Sequence, residues 1–404
     1  MVGIWFLAAC ASYPSSKHPL RIRDDVPAGG ERFSLALLQS VGVGMTPGHR
    51  VELVNNGAVF DTVVEEISRA RSSIHVNTFI WRTGQPGDRL ADAILERTRQ
   101  GVACRVVVDP VGSVDFEKVR PRLETGGCQV LLSRPDVGSQ TFHRNHRKMV
   151  IVDGRVAITG GFCIYKSWLG NGLKEDEWRD TNVRVTGPAV RQLQIAFAQN
   201  WQESGGGLLP PEAFPQLDSD GPSLAGFVAS SGHPVVTRAE RMTQLLIASA
   251  KRRIWIANSY FIPTEAIAQL LMEKKREGVD VRVLAPGPVH DVPPVLAAQR
   301  QTYDVLLEAG VRIWEYQPSM MHAKTMLVDD RLVVIGSTNM DPLSLEKLDE
   351  GSLVVEDESL ARNMEADYLI DLGRSKEIRW AEWKKRGVFE RLWSGISVMF
   401  GRIL

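Results

Sequence analysis

The sequence predicts an α/β fold made by tandem duplication of one domain, each copy a mainly parallel sheet flanked by helices, with an active site between the two halves. Two observations carry this. His146-Arg147-Lys148-Met149-Val150-Ile151-Val152-Asp153 and His322-Ala323-Lys324-Thr325-Met326-Leu327-Val328-Asp329 both fit H-x-K-x-x-x-x-D, and each is followed at the same distance by a turn, Gly160-Gly161 and Gly336-Ser337. The two histidines stand 176 residues apart (322 − 146), close to one domain length. The second observation is that the order of predicted elements upstream of each motif is also repeated.

Taken in order, the chain begins with Ile4-Trp5-Phe6-Leu7-Ala8-Ala9-Cys10, an apolar run too short to span a bilayer. Its Leu-Ala-Ala-Cys ending resembles the cleavage box of bacterial lipoproteins, which implies a lipid anchor at Cys10, although no Lys or Arg precedes Lys17. Residues 1–50 form an N-terminal extension, with a short helix expected at Phe33-Ser34-Leu35-Ala36-Leu37-Leu38, lying over the first domain.

The first domain, 51–203, has helical spacing over 60–70 and then the strand Ser73-Ile74-His75-Val76-Asn77-Thr78-Phe79. A helix closing at Gly101-Val102 follows, then the strand Cys104-Arg105-Val106-Val107-Val108 and a helix ending before Cys128. Residues 204–238 are rich in Gly, Pro and Ser and are expected as the linker. The second domain, 239–373, repeats the series with a helix over 242–250, the strand Ile254-Trp255-Ile256-Ala257-Asn258-Ser259-Tyr260, a helix closing at Gly278-Val279 and the strand Val279-Asp280-Val281-Arg282-Val283.

Residues 374–404 form a basic amphipathic C-terminal segment. Its 374–391 stretch holds seven Lys/Arg against three Glu, with Trp380 and Trp383. Phe389, Leu392, Trp393, Ile396, Phe400 and Ile403 then recur at helical spacing. Such a segment suits an anionic membrane surface, or it packs on its own domain; the stripe alone does not choose.

Composition narrows the partners. Lys plus Arg equals Asp plus Glu at 48 each in 404 residues, so the chain lacks the net basic field with which nucleic-acid binders collect phosphates, and no nucleic acid is expected. Cys10, Cys104, Cys128 and Cys163 have neither zinc-site spacing nor the density of a disulfide framework, and Cys104 and Cys128 read as core. No other apolar run reaches a span's length, so the body is not expected to cross a membrane.

If each motif is a strand, alternation puts His146 and Lys148 on one face and Asp153 on the other, and the same holds for His322, Lys324 and Asp329. The aspartates then serve mainly an ion pair or turn at the strand end, and as members of the motif they are grouped with His146, Lys148, His322 and Lys324 as catalytic residues. An imidazole beside an ammonium suits attack on a phosphodiester: the lysine holds a phosphoryl oxygen and the imidazole attacks phosphorus. A second histidine can protonate the leaving alkoxide. This scheme calls for no metal or other cofactor.

These motifs, with Gly336-Ser337-Thr338-Asn339, Trp178-Arg179-Asp180 and Glu350, resemble the phospholipase D superfamily, and within it bacterial cardiolipin synthases of the shorter type without two N-terminal spans. The resemblance runs from about Val51 to the C-terminus. It implies His146 as nucleophile and His322 as general acid/base, although the residues alone allow the reverse. It also implies Ser337 and Asn339 at the phosphate, Asp180 and Glu350 orienting the histidines, and Asp341 and Ser344 in the turn after the second motif. The chain departs from the pattern at Cys163, where the family has asparagine, and at Leu343 and Leu348. Asp291 lies in a loop after a strand end, where it is expected either to bind acceptor glycerol hydroxyls or to make an ordinary turn. His143 and His75 are expected to be structural.

The expected function is transfer of a phosphatidyl group from phosphatidylglycerol to a second phospholipid through a phosphohistidine, with phosphatidylethanolamine as another acceptor. The alternatives are a phospholipase D hydrolase, then a phosphodiesterase or nuclease, then a non-catalytic membrane-binding relative. The expected location is peripheral, on a bacterial membrane.

Overall fold

Runs of Val, Ile and Leu bounded by glycine turns supply most strands. In the computed structural model, which describes residues 21–22, 25–133, 143–233 and 235–386, they join into one 15-stranded sheet. The first half contributes β1 (Thr46–Asn55), β2 (Ser73–Thr78), β3 (Ala103–Val108), β4 (Cys128–Leu132), β5 (Met149–Val152), β6 (Val156–Gly160), β7 (Trp178–Arg179) and β8 (Thr181–Thr186). The second contributes β9 (Ser223–Ser230), β10 (Arg253–Asn258), β11 (Asp280–Pro286), β12 (Arg312–Tyr316), β13 (Met320–Met321), β14 (Lys324–Val328), β15 (Leu332–Gly336), β16 (Glu350–Glu356) and β17 (Ser375–Ile378); of all these, β7 and β13 stand apart from the large sheet and pair parallel with each other. Cys10 and the apolar stripe of 389–403 lie outside the described residues.

The order β4-β3-β2-β5-β6-β8-β1 in the first half is matched by β12-β11-β10-β14-β15-β16-β9 in the second, and β1 and β9 meet antiparallel in the middle. The duplication is therefore real at the level of topology. Its sheet, however, is mixed and not mainly parallel. Parallel pairing in the large sheet is confined to β2-β3-β4 and β10-β11-β12. Each motif strand enters antiparallel and returns as a hairpin, β5 into β6 and β14 into β15. At the first hairpin Asp153 and Gly154 take φ of 54° and 63°, and at the second Asp329 takes 52°. Alternating strand and helix patterns carry no strand direction, and these turns reverse the chain without a crossover helix.

The expected linker contains a structural strand. β9 pairs with β16 from Leu224 to Ser230 and buries Phe227 and Val228, so the second half opens at Ser223, as the first opens with β1. The Gly/Pro-rich flanks masked it. The N-terminal extension also sits elsewhere than expected. Helix Gly30–Val41 places Phe33, Leu37 and Val41 on one face, at i, i+4 and i+8, and that face joins Met242, Leu245 and Leu246 in the core of the second half. Arg21 with Glu273 and Lys251 with Asp25 (2.5 Å) tie the segment down there.

The described part of the C-terminal segment packs on its own domain. β17 adds antiparallel to the edge of β12, and the Trp383 indole donates to Asp304 at 2.7 Å beside the Tyr303 ring. Cys104 and Cys128 are core, as expected, but they also form a disulfide, being direct register partners on β3 and β4. Twenty-four residues apart in sequence, they gave no local sign of it. Among the described residues no helix is long and apolar enough to cross a membrane.

Candidate active site

Each motif histidine lies just before its strand, where extended chain from one half pairs with the other. The His146 N–H donates to Asp349 O at 2.9 Å, and the His322 N–H donates to Arg179 O at 2.7 Å. The residue after each acceptor is a carboxylate. Glu350 Oε1 lies 2.8 Å from His146 Nδ1, and Asp180 Oδ2 lies 2.9 Å from His322 Nδ1. A single backbone bond thus sets the register that brings a carboxylate of one half to the imidazole of the other. With Nδ1–H assigned to the carboxylate, the Nε2 lone pair is the one available for chemistry.

The carboxylates are held in turn. Glu350 receives the hydroxyls of Ser337 and Ser344, and each hydroxyl accepts a backbone N–H, of Gly351 and Asn339, so its own proton is free for the carboxylate. Asp341 caps the turn Pro342–Glu346 through the Leu343 and Ser344 amides, which fixes Ser344. Asp180 receives the Trp168 indole N–H at 2.8 Å and the Thr181 amide at 2.8 Å. Trp168 and Trp178 also flank the His322 ring at 4.8 and 4.9 Å.

The lysines are buried beside their histidines. Lys148 Nζ donates to His146 O at 2.7 Å and lies 5.3 Å from the centre of the Phe79 ring. Lys324 Nζ donates to His322 O at 2.6 Å and to Ser259 Oγ at 2.7 Å, and Ser259 in turn donates to Asn339 Oδ1 at 2.6 Å. Burial pulls Lys324 down to about 7, against the pull of Asp180, and lowers Lys148 as well. Burial and then the charge of Lys148 hold His146 well below its usual value, and burial followed by Lys324 brings His322 to about 4. Burial pushes Glu350 up to about 8, whereas for Asp180 the His322 hydrogen bond and the positive neighbours outweigh burial and hold it low. At these values both imidazoles are neutral at pH 7.

The structure brings together His146, Lys148, His322, Lys324, Asp180, Glu350, Ser337 and Asn339, all buried. It does not bring Asp153 and Asp329 there, so their grouping with the catalytic residues is corrected. Asp153 accepts the amides of Arg71, Ser72 and Ser73, and Asp329 those of Lys251, Arg252 and Arg253, at the far end of each motif strand. The Ser337 hydroxyl donates to Glu350 and so supports the carboxylate. Asp291 takes the hydroxyl of Tyr260, the residue after Ser259, at 2.6 Å. Cys163 is a buried free thiol. His143 binds Lys347 O, and His75 is stacked on Phe197 at 4.7 Å. Among the described residues no three His, Cys, Asp or Glu side chains could hold a metal ion.

Sequence reasoning missed Ser259, Phe79, Trp168 and Arg147. Ser259 and Phe79 each follow the strand that pairs with a motif strand, a position the repeat itself marks. Arg147 is fully buried and binds Glu350 O, Ser230 O and Asn200 Oδ1, tying the first motif to β9 and β16. Its partners are remote in sequence and gave no local signal.

A family model described as "Cardiolipin synthase, PLD-like domain" matches residues 63–201 and 244–370. Cardiolipin synthase 1 of Bacillus anthracis is 31% identical over 355 residues, covering 84% of this chain and 69% of that protein. A cardiolipin synthase of Geobacillus sp. (strain WCH70) is 32% identical over 393 residues, covering 94% and 78%. Among solved structures, a phosphatidylserine synthase of Haemophilus influenzae Rd KW20 superposes with a TM-score of 0.70 at 14% identity, over 91% of this chain and 98% of that one, a likeness of fold alone.

Proposed function

The chain belongs to the cardiolipin synthase family of phospholipase D-like proteins, and from that membership we propose that it is a phosphatidyltransferase that moves a phosphatidyl group from phosphatidylglycerol to the hydroxyl of a second phospholipid. The observation that carries this is the pair of crossed histidine–carboxylate contacts, which makes one site from both halves.

In this scheme the phosphodiester anion enters between Lys148 and Lys324 and supplies the counter-charge that raises both lysines and the His322 imidazole toward their protonated forms. His146 Nε2 attacks phosphorus while Glu350 retains its Nδ1 proton. His322 gives its Nε2 proton to the departing glycerol oxygen as the P–O bond breaks, which leaves a phosphohistidine. A lipid hydroxyl then loses its proton to His322, its oxygen bonds phosphorus, and the N–P bond breaks. Lys324, with Ser259 and Asn339 behind it, holds the charge on the non-bridging oxygens.

Phospholipids are the substrate class, and the protein works from the membrane surface as a peripheral enzyme. The test is product analysis by mass spectrometry with phosphatidylglycerol vesicles and chelator, beside His146→Ala. Cardiolipin and free glycerol, absent from the variant, are the expected result; phosphatidic acid alone makes the protein a hydrolase.

A further inference from the structure

The loop that follows β3 has its polar side chains inside and its aliphatic ones outside. Residues 109–114 read Asp-Pro-Val-Gly-Ser-Val. Asp109 and Ser113 are buried, at 3% and 5% exposed, whereas Val111 is 48% and Val114 70% exposed. An ordinary surface loop does the reverse, because polar turn residues are best left in water and aliphatic ones gain by burial.

The inward groups fix this loop beside the site. Asp109 Oδ2 accepts the N–H of Asn145, the residue before His146, at 3.0 Å, and Asp109 Oδ1 accepts the Val111 N–H at 3.0 Å. The Ser113 hydroxyl donates to Phe79 O at 3.0 Å and accepts the Trp81 N–H at 2.9 Å. At Gly112 a Cβ would stand 2.3 Å from Phe79 O, so the loop sits directly on the backbone of the residue whose ring meets His146 edge-on at 5.0 Å. The second half repeats the feature in part. In the loop after β11 the His290 side chain is turned in, and Val289 and Val292 are partly exposed, with Asp291 beside them bonded to Tyr260.

A phospholipid keeps its acyl chains in the bilayer while its phosphodiester reaches the buried His146, so the surface next to that histidine has to lie against the headgroups. Pro110, Val111 and Val114 suit that layer: their side chains gain by leaving water and carry no charge to desolvate.

We propose that the 110–114 loop is a membrane-contacting edge of the site, with Val111 and Val114 inserting at the boundary of headgroups and acyl chains and seating the His146 side on the lipid surface. The proposal rests on the phospholipid substrate class given above and names the part of the chain that meets the bilayer.

The experiment measures partition of the full chain onto phosphatidylglycerol vesicles by flotation at sub-saturating lipid, in low and in high salt. It also measures cardiolipin formation from those vesicles and from monomeric dihexanoyl phosphatidylglycerol. The proteins are wild type, Val111→Ser/Val114→Ser and Val305→Ser, the last removing a valine of similar exposure from the end of helix Pro293–Glu308. The double variant is expected to lose roughly tenfold in partition, the scale of withdrawing two partly inserted valines from an apolar layer. The loss is expected to be equal at both salt concentrations, since no charge is involved. Its rate on vesicles is expected to fall by a similar factor and its rate on monomeric lipid to stay at the wild-type value, which also shows that the site is intact. Val305→Ser is expected to match wild type throughout. Partition and vesicle rate both unchanged in the double variant overturn the membrane contact and leave the transferase function standing. Equal losses of rate on vesicles and on monomeric lipid also overturn it, since the loop would then act on the site and not on the surface. No lipid product from wild type in either form overturns both.

Discussion

His146 Nδ1 lies 2.8 Å from Glu350 Oε1 although 204 residues separate them. The reciprocal contact, His322 to Asp180 at 2.9 Å, spans 142 residues in the opposite sense. Each half supplies an imidazole and borrows its carboxylate, so neither half alone has a complete histidine.

Glu350→Gln keeps the volume and replaces one of the two acceptor oxygens by an NH2 donor, so the amide cannot hold the same Nδ1–H tautomer and also take two serine hydroxyls. Its kcat is expected to fall by roughly 10²- to 10⁴-fold, the range found when the group orienting a catalytic histidine is lost. Asp180→Asn is expected to do the same through His322. Circular dichroism unchanged from wild type, together with the lost turnover, checks that the effect is on chemistry.

Lys324 sits at about 7, so raising the pH through that value neutralises the ammonium proposed to hold the phosphoryl oxygens. The pH profile of kcat/KM, which reports the free enzyme, is expected to fall on the alkaline side from near pH 7. The limb of kcat is expected at higher pH, because bound phosphodiester stabilises the charged lysine. Lys324→Arg, charged throughout, is expected to move the kcat/KM limb to higher pH at reduced activity. An unmoved limb assigns the titration elsewhere.

Asp329, 5% exposed, satisfies three consecutive backbone amides far from the site. Asp329→Ala is expected to cost about 2 kcal/mol of stability, read as a lowered denaturation midpoint, with kcat near wild type below the transition. Asp153 adds a pH term. Burial raises its pKa, but the amides of Ser73, Ser72 and Arg71 outweigh that and lower it from 3.8. A depressed folded-state pKa contributes stability above the unfolded value, and this is lost as pH falls through the folded value. Asp153→Asn should therefore flatten the loss of Tm on acidification below about pH 4.

The Cys104–Cys128 disulfide closes a 24-residue separation between neighbouring strands away from the histidines. Cys104→Ala/Cys128→Ala is expected to lower stability by about 3 kcal/mol, on the loop-closure estimate. Cardiolipin formation at low temperature should persist, as measured by the same product assay.

The two His-x-Lys pairs were legible because their geometry is local: two residues apart in extended chain, they emerge together whatever the rest of the fold does. The duplication was legible because the repeat is long. Which carboxylate serves which histidine was not, because Glu350 and Asp180 cross between halves and no spacing records a crossing. The turns at Asp153 and Asp329 were legible as strand ends, but their antiparallel return was not, because periodicity is blind to strand direction. Strand β9 was hidden by the glycines and prolines around it. Helix Gly30–Val41 was recognisable by its Phe33, Leu37, Val41 face, whereas the surface it covers is set by tertiary packing alone.

The most direct test of the crossed site uses a phosphatidyl ester of p-nitrophenol, a leaving group that needs no proton from a general acid. His322→Ala is expected to release a burst of one p-nitrophenolate per enzyme and then stall, with the phosphatidyl group found by mass spectrometry, after alkaline quench, on the peptide bearing His146. His146→Ala is expected to give no burst. A burst from His146→Ala with none from His322→Ala would reverse the two roles. No burst from either variant, with wild type still making cardiolipin, would contradict the covalent mechanism.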